Sequence, residues 1–298
     1  MEISKDLPLS SEEQKMIDMH SFYNALSVVT SLCYLIEFDL ENEGALKENT
    51  KIIHDLKEDL SNRYKLLKHL KNYSKIKTAF FDTFEKTLHK YPAAQTNKDI
   101  IEEKDNMYSI FKVIDSRVAE MNKRLNNDGG WKTFNLKEIE ADLIQFFSAI
   151  EKNAKGKYRI VYDAAKQLPN DYLVLFSMNS INNKTIFIHD KMIDTMRDLL
   201  ANSRKYTPYG GKIEADLNET ESDISFIIKD NGLGIPKDEV EHVVEFGYRA
   251  SNTKRKKTMG GGFGLTKAYF FVKHNRGRFW IDSDLNQGTE IKIVIPKP

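Results

Sequence analysis

The first 127 residues of this 298-residue chain contain a single glycine, Gly44, although the whole chain has 15. Glycine weakens helices, so a long stretch almost without it favours helical structure. Within this stretch, from Ser11 to Phe38, every third or fourth residue contributes to one stripe, made of Met16, Met19, Tyr23, Leu26, Thr30 and Cys33. The spacing predicts a long amphipathic helix whose stripe needs a partner. Similar stripes predict further helices over about 53–70, 76–89 and 107–121, and hence a helical bundle.

The helical pattern ends at the run Asn126-Asn127-Asp128-Gly129-Gly130, because turn-forming residues and a double glycine interrupt helices. We therefore predict a helical region over residues 1–130 and a second domain over residues 131–298. In the second domain short β-rich runs alternate with helical runs, which predicts α/β layers with an antiparallel or mixed sheet. The expected fold class is α+β, with an N-terminal helical bundle followed by an α/β sandwich.

The composition excludes several classes of protein. The chain is 40% hydrophobic and 30% charged, as in globular domains rather than disordered chains. Lysine and arginine (45) almost balance aspartate and glutamate (44), so no global charge favours nucleic acid or an anionic membrane. The most apolar early run, Ala25 to Phe38, is shorter than the roughly 20 residues that cross a bilayer. With a single cysteine, Cys33, the chain is expected to be cytoplasmic, without membrane insertion and without nucleic acid as a partner.

Three polar clusters in the second domain are complementary. Asp198, Asn202 and Lys205 are spaced four and three apart, on one face of a predicted helix that suits Mg²⁺ and a phosphate. Asp230-Asn231-Gly232-Leu233-Gly234 follows a strand, where a carboxylate can accept a hydrogen bond from an exocyclic amine. The run Gly260 to Gly264 opens a helix whose free N–H groups favour a phosphate. Taken singly, each cluster is equally well read as a solvated helix face, a turn or a flexible loop.

Taken in order, the clusters resemble the ATP-binding domain of sensor histidine kinases, within the family shared with DNA gyrase, heat-shock chaperones and mismatch-repair ATPases. The run from Leu199 to Pro208 resembles the N box, and Asp230 to Pro236 resembles the G1 box. Phe246 to Arg249 resembles the F box, Gly260 to Leu265 the G2 box, and Gly288-Thr289 the final glycine-threonine motif. Motifs in the family's order cover roughly residues 134–298.

The resemblance implies a site for ATP and Mg²⁺, with Asn202 as the metal ligand and Asp230 as the reader of the adenine amine. It also implies that Arg249, or the basic run from Lys254 to Lys257, reaches the γ-phosphate from a mobile lid over residues 246–262. The remaining residues implied to bind the nucleotide are Lys205, Tyr206, Gly232, Gly234, Gly260, Gly262, Gly264, Leu265 and Thr289.

One residue departs from the usual pattern of histidine kinases. Most of them carry asparagine at the position of Asp198, whereas members of the family that hydrolyse ATP carry an acid that activates water as a general base. Asp198 therefore keeps ATP hydrolysis open as an activity of this chain.

The phosphate acceptor is expected to be His20, on the first helix. His20, Asn24, Ser27 and Ser31 form a polar stripe beside the apolar one, which predicts an accessible imidazole. The run from His20 to Leu26 resembles a degenerate H box, which implies a role for Asn24 in orienting water for dephosphorylation of the partner.

The H box is incomplete, because Ser21 stands where the family has an acid and Ala25 where it has proline. Asp18, two residues before His20, lies off the same helix face. His54 is the rival acceptor, since Asp55 follows it directly.

The resulting interpretation is a histidine kinase that phosphorylates His20 and passes the phosphate to an aspartate of a response-regulator receiver domain. A homodimer is expected, in which the helices of two chains pack together and cover Met19, Tyr23 and Leu26. The alternatives are an ATPase or chaperone-like switch that uses Asp198, a binding protein whose conformation nucleotide sets, and a protein kinase acting on serine.

Overall fold

The structure, a computed structural model, describes residues 1–9, 11–60, 63–126, 130–154, 156–253 and 263–298. The chain forms two compact units. Leu9–Asp128 makes up the first, the helical unit, and Met1–Pro8 together with Gly129–Pro298 makes up the second, the α/β unit. In sequence, the helical unit is thus inserted between two parts of the α/β unit.

All regular secondary structure in the described residues of the helical unit is α-helical. The helices are α1 (Ser11–Asp39), α2 (Lys47–Asp59), α3 (Arg63–Leu88), the single turn α4 (Ala93–Thr96) and α5 (Lys98–Asn126). Helix α1 packs against α5 and α2, and α2 packs against α3. The predicted helix over 53–70 was wrong in extent, because α2 ends at Asp59 and Leu70 belongs to α3.

The apolar stripe of α1 is covered within the chain. Leu26, Val29, Cys33 and Ile36 are buried in one core with residues of α2, α3 and α5, and Met19 packs partly buried against the same core. Tyr23 is 47% exposed, and the Lys57 ammonium lies 4.7 Å from its ring centroid. The expectation that a second chain must cover Leu26 was therefore wrong, because Leu26 has its partners in its own chain, whereas cover of the exposed Tyr23 by a second chain stays a prediction.

The strands of the α/β unit are β1 (Trp131–Asn135), β2 (Ile160–Val161), β3 (Tyr172–Asn179), β4 (Thr185–His189), β5 (Lys212–Glu219), β6 (Asp223–Asp230), β7 (Arg278–Asp284) and β8 (Gly288–Pro296). They form a six-stranded mixed sheet in the order β2-β3-β5-β6-β8-β7 and a separate ribbon of β1 and β4. The α-helices of this unit are α6 (Leu136–Asn153), α7 (Asp190–Tyr206) and α8 (Gly264–His274). Strands β2, β3 and β5 are parallel, and the other pairs are antiparallel.

The alternation of apolar residues explains how the sheet is covered. In β6, Ile224, Phe226 and Ile228 are buried, whereas the residues between them are partly exposed. Since successive side chains of a strand point to opposite faces, one face of the sheet is apolar. Helices α6, α7 and α8 pack against the sheet and supply the other half of the core. The predicted fold class, a helical region followed by an α/β sandwich, is confirmed.

The segment Met1–Pro8 lies along β7, at the edge of the sheet. Ile3 donates its N–H to the carbonyl of Phe279 at 2.8 Å, and Ile281 donates to the carbonyl of Met1 at 2.9 Å. The side chain of Ile3 is buried, and the Tyr269 hydroxyl donates to the carbonyl of Lys5 at 2.6 Å. Residues 1–8 were expected in the helical region, but these contacts place them in the α/β unit.

Among the residues that the structure describes, no helix is both long and apolar enough to cross a membrane.

Candidate nucleotide-binding site

Helix α7 presents two different faces, because its apolar residues recur at helical spacing. Met192, Met196, Leu199 and Leu200 are fully buried against the sheet. Asp198, Asn202 and Lys205 fall on another face and are partly exposed. The Lys205 ammonium lies 5.1 Å from the ring centroid of Tyr206, which ends the helix. The carboxylate, amide and ammonium that the sequence predicted side by side therefore share one accessible face.

Helix α8 begins directly beside Asn202. A Cβ atom on Gly264 would lie 2.9 Å from Nδ2 of Asn202, so the backbone at the start of α8 approaches this amide closely. Unpaired N–H groups and the positive end of the helix dipole favour anions at such a position. Leu265, the next residue, is partly buried in the core of the unit. The start of α8 and the Asn202 amide are thus close enough together to contact one phosphate group.

Asp230 ends β6 and is buried. Its carboxylate accepts a hydrogen bond from the N–H of Gly232 at 2.9 Å, and the Ser203 hydroxyl and the Thr289 N–H lie beside it. Burial raises the pKa of this carboxyl above its ordinary value, although these three polar groups oppose the rise. A buried carboxylate held by backbone and side chain is a fixed acceptor, which suits the recognition of an amine.

The loop after Asp230 is held close to its neighbours. Gly234 has a φ of +63° and leaves no room for a side chain, because a Cβ there would clash with the carbonyl of Asp284. Leu233 donates its N–H to the carbonyl of Tyr206 at 3.1 Å, which joins the loop to the end of α7. The predicted pocket glycines Gly232 and Gly234 therefore lie between α7 and the β7–β8 turn.

Ser203 connects these parts of the site. It follows Asn202 in α7, it is buried, and its hydroxyl reaches the carboxylate of Asp230. Gly264 contacts Asn202, and Thr289 is paired with Asp230 across β8 and β6. These contacts link the segments that resemble the N box, the G1 box and the final glycine-threonine motif. They also link the described end of the G2 box to the same group. Sequence reasoning missed Ser203, although its place on the buried side of α7 is a readable signal.

The F-box segment is partly described. The rings of Phe246 and Phe263 lie 4.7 Å apart, which brings the two ends of the predicted lid together. Arg249 donates from its guanidinium to the carbonyl of Thr253 at 3.3 Å. The predicted residues Gly260 and Gly262 and the basic run over 254–257 lie outside the described residues, so their predicted roles stay predictions.

Asp198 has a partner that the sequence did not predict. Its Oδ2 atom lies 2.6 Å from the Nζ atom of Lys267 in α8, and both side chains are about one-third exposed. Lys267 follows Gly264 by three residues, one helical turn, and so lies on the same side of α8. The spacing of three residues between Gly264 and Lys267 does not by itself predict this ion pair, because the pair depends on the packing of α8 on α7.

The candidate phosphate acceptors lie in the helical unit. His20 lies within α1, but its side chain is outside the part of the chain that the structure describes. Asn24 and Ser27 are partly exposed and Ser31 is exposed, as expected of a polar stripe. His54 is exposed on α2, with its Nε2 atom 3.2 Å from Oε1 of Glu58.

The donor groups fit ATP with Mg²⁺. The Asn202 amide oxygen is a hard ligand of the kind that Mg²⁺ takes together with substrate phosphates and water. The Asp230 carboxylate is a buried acceptor, and Gly264 leaves the space beside Asn202 that a side chain would fill.

The matches to known proteins fall in this region of the chain. Residues 189–298 match the family described as histidine kinase-, DNA gyrase B- and HSP90-like ATPase. The chain is 36% identical to the sensor histidine kinase WalK of Bacillus subtilis over 109 residues, which cover 36% of this chain and 18% of that protein. It is 32% identical to the sensor protein kinase WalK of Staphylococcus aureus over 124 residues, which cover 40% of this chain and 30% of that protein.

Among solved structures, the catalytic domain of the histidine kinase ThkA matches with a TM-score of 0.40 and 20% identity. The match covers 56% of this chain and 95% of that structure. The chain thus spans less than one-third of the length of the two WalK proteins. In residues 189–298 the chain carries a domain of the histidine kinase-, DNA gyrase B- and HSP90-like ATPase family, similar in sequence to that of sensor histidine kinases.

Proposed function

We propose that this protein is an ATP-dependent protein-histidine kinase that phosphorylates itself on His20 and passes the phosphate to an aspartate of a response-regulator receiver domain. One observation carries the nucleotide half of the proposal. Gly264 lies against Asn202, and the adjacent Ser203 hydroxyl lies beside the carboxylate of Asp230, which pairs with Thr289. These contacts join a phosphate-binding position to an amine-binding position in one site.

Each end of this site has a distinct task. Asp230 accepts a hydrogen bond from the adenine amine, while the N–H groups at the start of α8 bind phosphate oxygens. Asn202, Lys205 and Tyr206 line the α7 side of the phosphates. Mg²⁺, when bound, neutralises charge on the phosphate oxygens, and Asn202 is the residue that would hold it.

The phosphate transfer is an in-line displacement. A ring nitrogen of His20 attacks the γ-phosphorus, the bond to the β,γ-bridging oxygen breaks, and its electron pair leaves with ADP. The attacking nitrogen must carry a free lone pair, so the imidazole must be neutral. The partly exposed Asn24 and Ser27, one and two helical turns further along α1, support an accessible acceptor on this face.

The test is incubation of the wild type, His20→Ala and His54→Ala with γ-labelled ATP and Mg²⁺, followed by acid and alkali treatment. We expect acid-labile label that His20→Ala abolishes and His54→Ala retains. Label that is lost only in His54→Ala would instead identify His54, in α2, as the phosphate acceptor. Acid-stable label would favour a serine kinase, and transfer to a purified receiver domain tests the second step.

A second function has its own observation. Asp198 is an acid one turn before Asn202 on α7, the spacing that suits a general base for water. Steady phosphate release without label on the protein would favour this ATPase. Nucleotide binding with neither activity would favour a binding protein that nucleotide switches.

A homodimer is part of the proposal, and it would use surface other than the covered stripe of α1. Tyr34, Leu35 and Phe38 are exposed apolar residues near the end of α1, with Phe38 80% exposed. Phe38→Glu is expected to lower the dimer fraction in sedimentation experiments if this end of α1 is the interface. We also propose a cytoplasmic location, where ATP is available and the free buried thiol of Cys33 stays reduced.

A further inference from the structure

The ion pair between Asp198 and Lys267 lies beside the phosphate end of the site. Asn202 and Gly264 are in contact, and one helical turn away along each helix Asp198 and Lys267 are in contact. The pair therefore neighbours the position where the start of α8 and the Asn202 amide meet the phosphates. Lys267 lies outside every segment that carries the resemblance, so the motifs assign it no role.

In the second proposed function, Asp198 is the general base for hydrolysis. In hydrolysis, the oxygen of a water molecule attacks the γ-phosphorus, one water proton moves to a carboxylate oxygen of Asp198, and the bond to the β,γ-bridging oxygen breaks. The electron pair of that bond leaves with ADP, and Asp198 then releases its proton to solvent. The water must therefore reach a carboxylate oxygen of Asp198.

Lys267 competes with water for that carboxylate. Its ammonium donates to Oδ2 at 2.6 Å, so part of the acceptor capacity of the carboxylate is used and its orientation is restrained by α8. Both side chains are about one-third exposed, which leaves the pair open to solvent and weak enough to break. Geometry of this kind holds a general base away from its water without altering the nucleotide pocket.

We infer that Lys267 is a positioning residue that restrains Asp198 and thereby limits the share of bound ATP that is lost to water. Opening of the pair frees Asp198 for hydrolysis, whereas the closed pair preserves the γ-phosphate for a protein acceptor. The inference rests on the proposed function, because the γ-phosphate that water would remove is the one that the protein acceptor would otherwise receive.

The test uses the full chain with Lys267→Met, which removes the ammonium and keeps a long apolar side chain. Phosphate release from ATP should rise at least about threefold, a small part of the roughly 100-fold that a positioned base can contribute. Lys267→Arg keeps a cation and should stay near the wild-type rate. Lys273→Met, which removes an exposed lysine from the same helix, should leave the rate unchanged.

Two further variants separate restraint of Asp198 from other effects. Asp198→Asn should release phosphate no faster than the wild type, and the double variant Lys267→Met with Asp198→Asn should lose the rise. ADP affinity should be equal within about twofold in Lys267→Met and the wild type, since the pair lies beside the pocket rather than in it. An unchanged or lower rate in Lys267→Met, or a rise that persists in the double variant, overturns the inference.

The outcome is independent of whether His20 is the acceptor. A rise in phosphate release with no acid-labile label in any variant would support the role of Lys267 and overturn the kinase proposal. Acid-labile label in the wild type, without a rise in phosphate release in Lys267→Met, would support the kinase proposal and overturn the role of Lys267.

Discussion

The buried hydroxyl of Ser203 in α7 lies beside the carboxylate of Asp230 at the end of β6. This contact joins the helix that we propose faces the phosphates to the strand end that we propose faces the base. It also fixes the orientation of a buried carboxylate whose pKa burial raises. The charged form of Asp230 should therefore favour nucleotide binding but lower the stability of the nucleotide-free α/β unit.

Asp230→Asn is expected to weaken ADP binding at least about tenfold, equivalent to roughly 1.4 kcal/mol, because the amide replaces a charged acceptor for the adenine amine. Isothermal titration calorimetry of the full chain with ADP measures the change. Asp223→Asn, at the other end of β6, is the matched control and should bind as the wild type does. Equal affinity for Asp230→Asn and the wild type would exclude Asp230 as the reader of the base.

The same substitution should stabilise the nucleotide-free α/β unit near neutral pH. A carboxyl with a raised folded-state pKa contributes stability below its ordinary value of 3.8, and that contribution is lost as the pH rises through the raised pKa. The melting temperature of Asp230→Asn should therefore exceed that of the wild type at pH 7, and the difference should shrink in acid. Both tryptophans, Trp131 and Trp280, lie in the α/β unit, so tryptophan fluorescence follows this unit alone.

Gly264→Ala should weaken nucleotide binding without unfolding the α/β unit, because the new Cβ would lie 2.9 Å from Nδ2 of Asn202 and displace the amide. A double-mutant cycle with Asn202→Ala tests the mechanism. The glycine substitution should cost little further affinity once the amide is gone. Additive losses in the two single variants would mean that Gly264 acts independently of Asn202.

Ile3→Ala should destabilise the α/β unit by about 2–4 kcal/mol, the usual cost of removing a large side chain from a core. Ile3 is 1% exposed and packs in the core of that unit. Urea unfolding followed by tryptophan fluorescence measures the loss. Ile101→Ala, at an exposed position in the helical unit, is the control and should leave the fluorescence transition in place.

Asp171→Asn should flatten the acid unfolding of the α/β unit. Hydrogen bonds from the Arg159 guanidinium lower the pKa of Asp171 to about 2. A lowered pKa gives stability that is present above the ordinary value of 3.8 and is lost as the pH falls through about 2. Fluorescence melts between these pH values should therefore show a steeper loss in the wild type than in Asp171→Asn. Parallel losses would mean that this ion pair does not govern acid stability.

The local parts of the site could be predicted from sequence, because they depend on spacing along one element. The positions of Asp198, Asn202 and Lys205 follow from helical periodicity alone, and the place of Asp230 follows from a strand that ends in a glycine turn. The partners of these residues could not be predicted, since Lys267 meets Asp198 only through the packing of α8 on α7.

Two errors have the same physical cause. Periodicity shows which face of α1 is apolar but not whether the cover comes from the same chain, and α5 supplies it here. The pairing of Ile3 with Phe279 joins residues far apart in sequence, and a single bridge on an edge strand has no local signature. Residues 1–8 were therefore assigned to the wrong unit.

The docking of Met1–Pro8 on β7 affects how the chain can be divided. A domain joined to its neighbour at one point is released by one cut, but the helical unit is joined to the α/β unit at both of its ends. A single protease cut between the units should leave the products bound to each other through the Ile3 contacts. A fragment that begins at residue 131 would lack Ile3, which is buried in the core of the α/β unit, so the catalytic part of this chain is best excised together with its first eight residues.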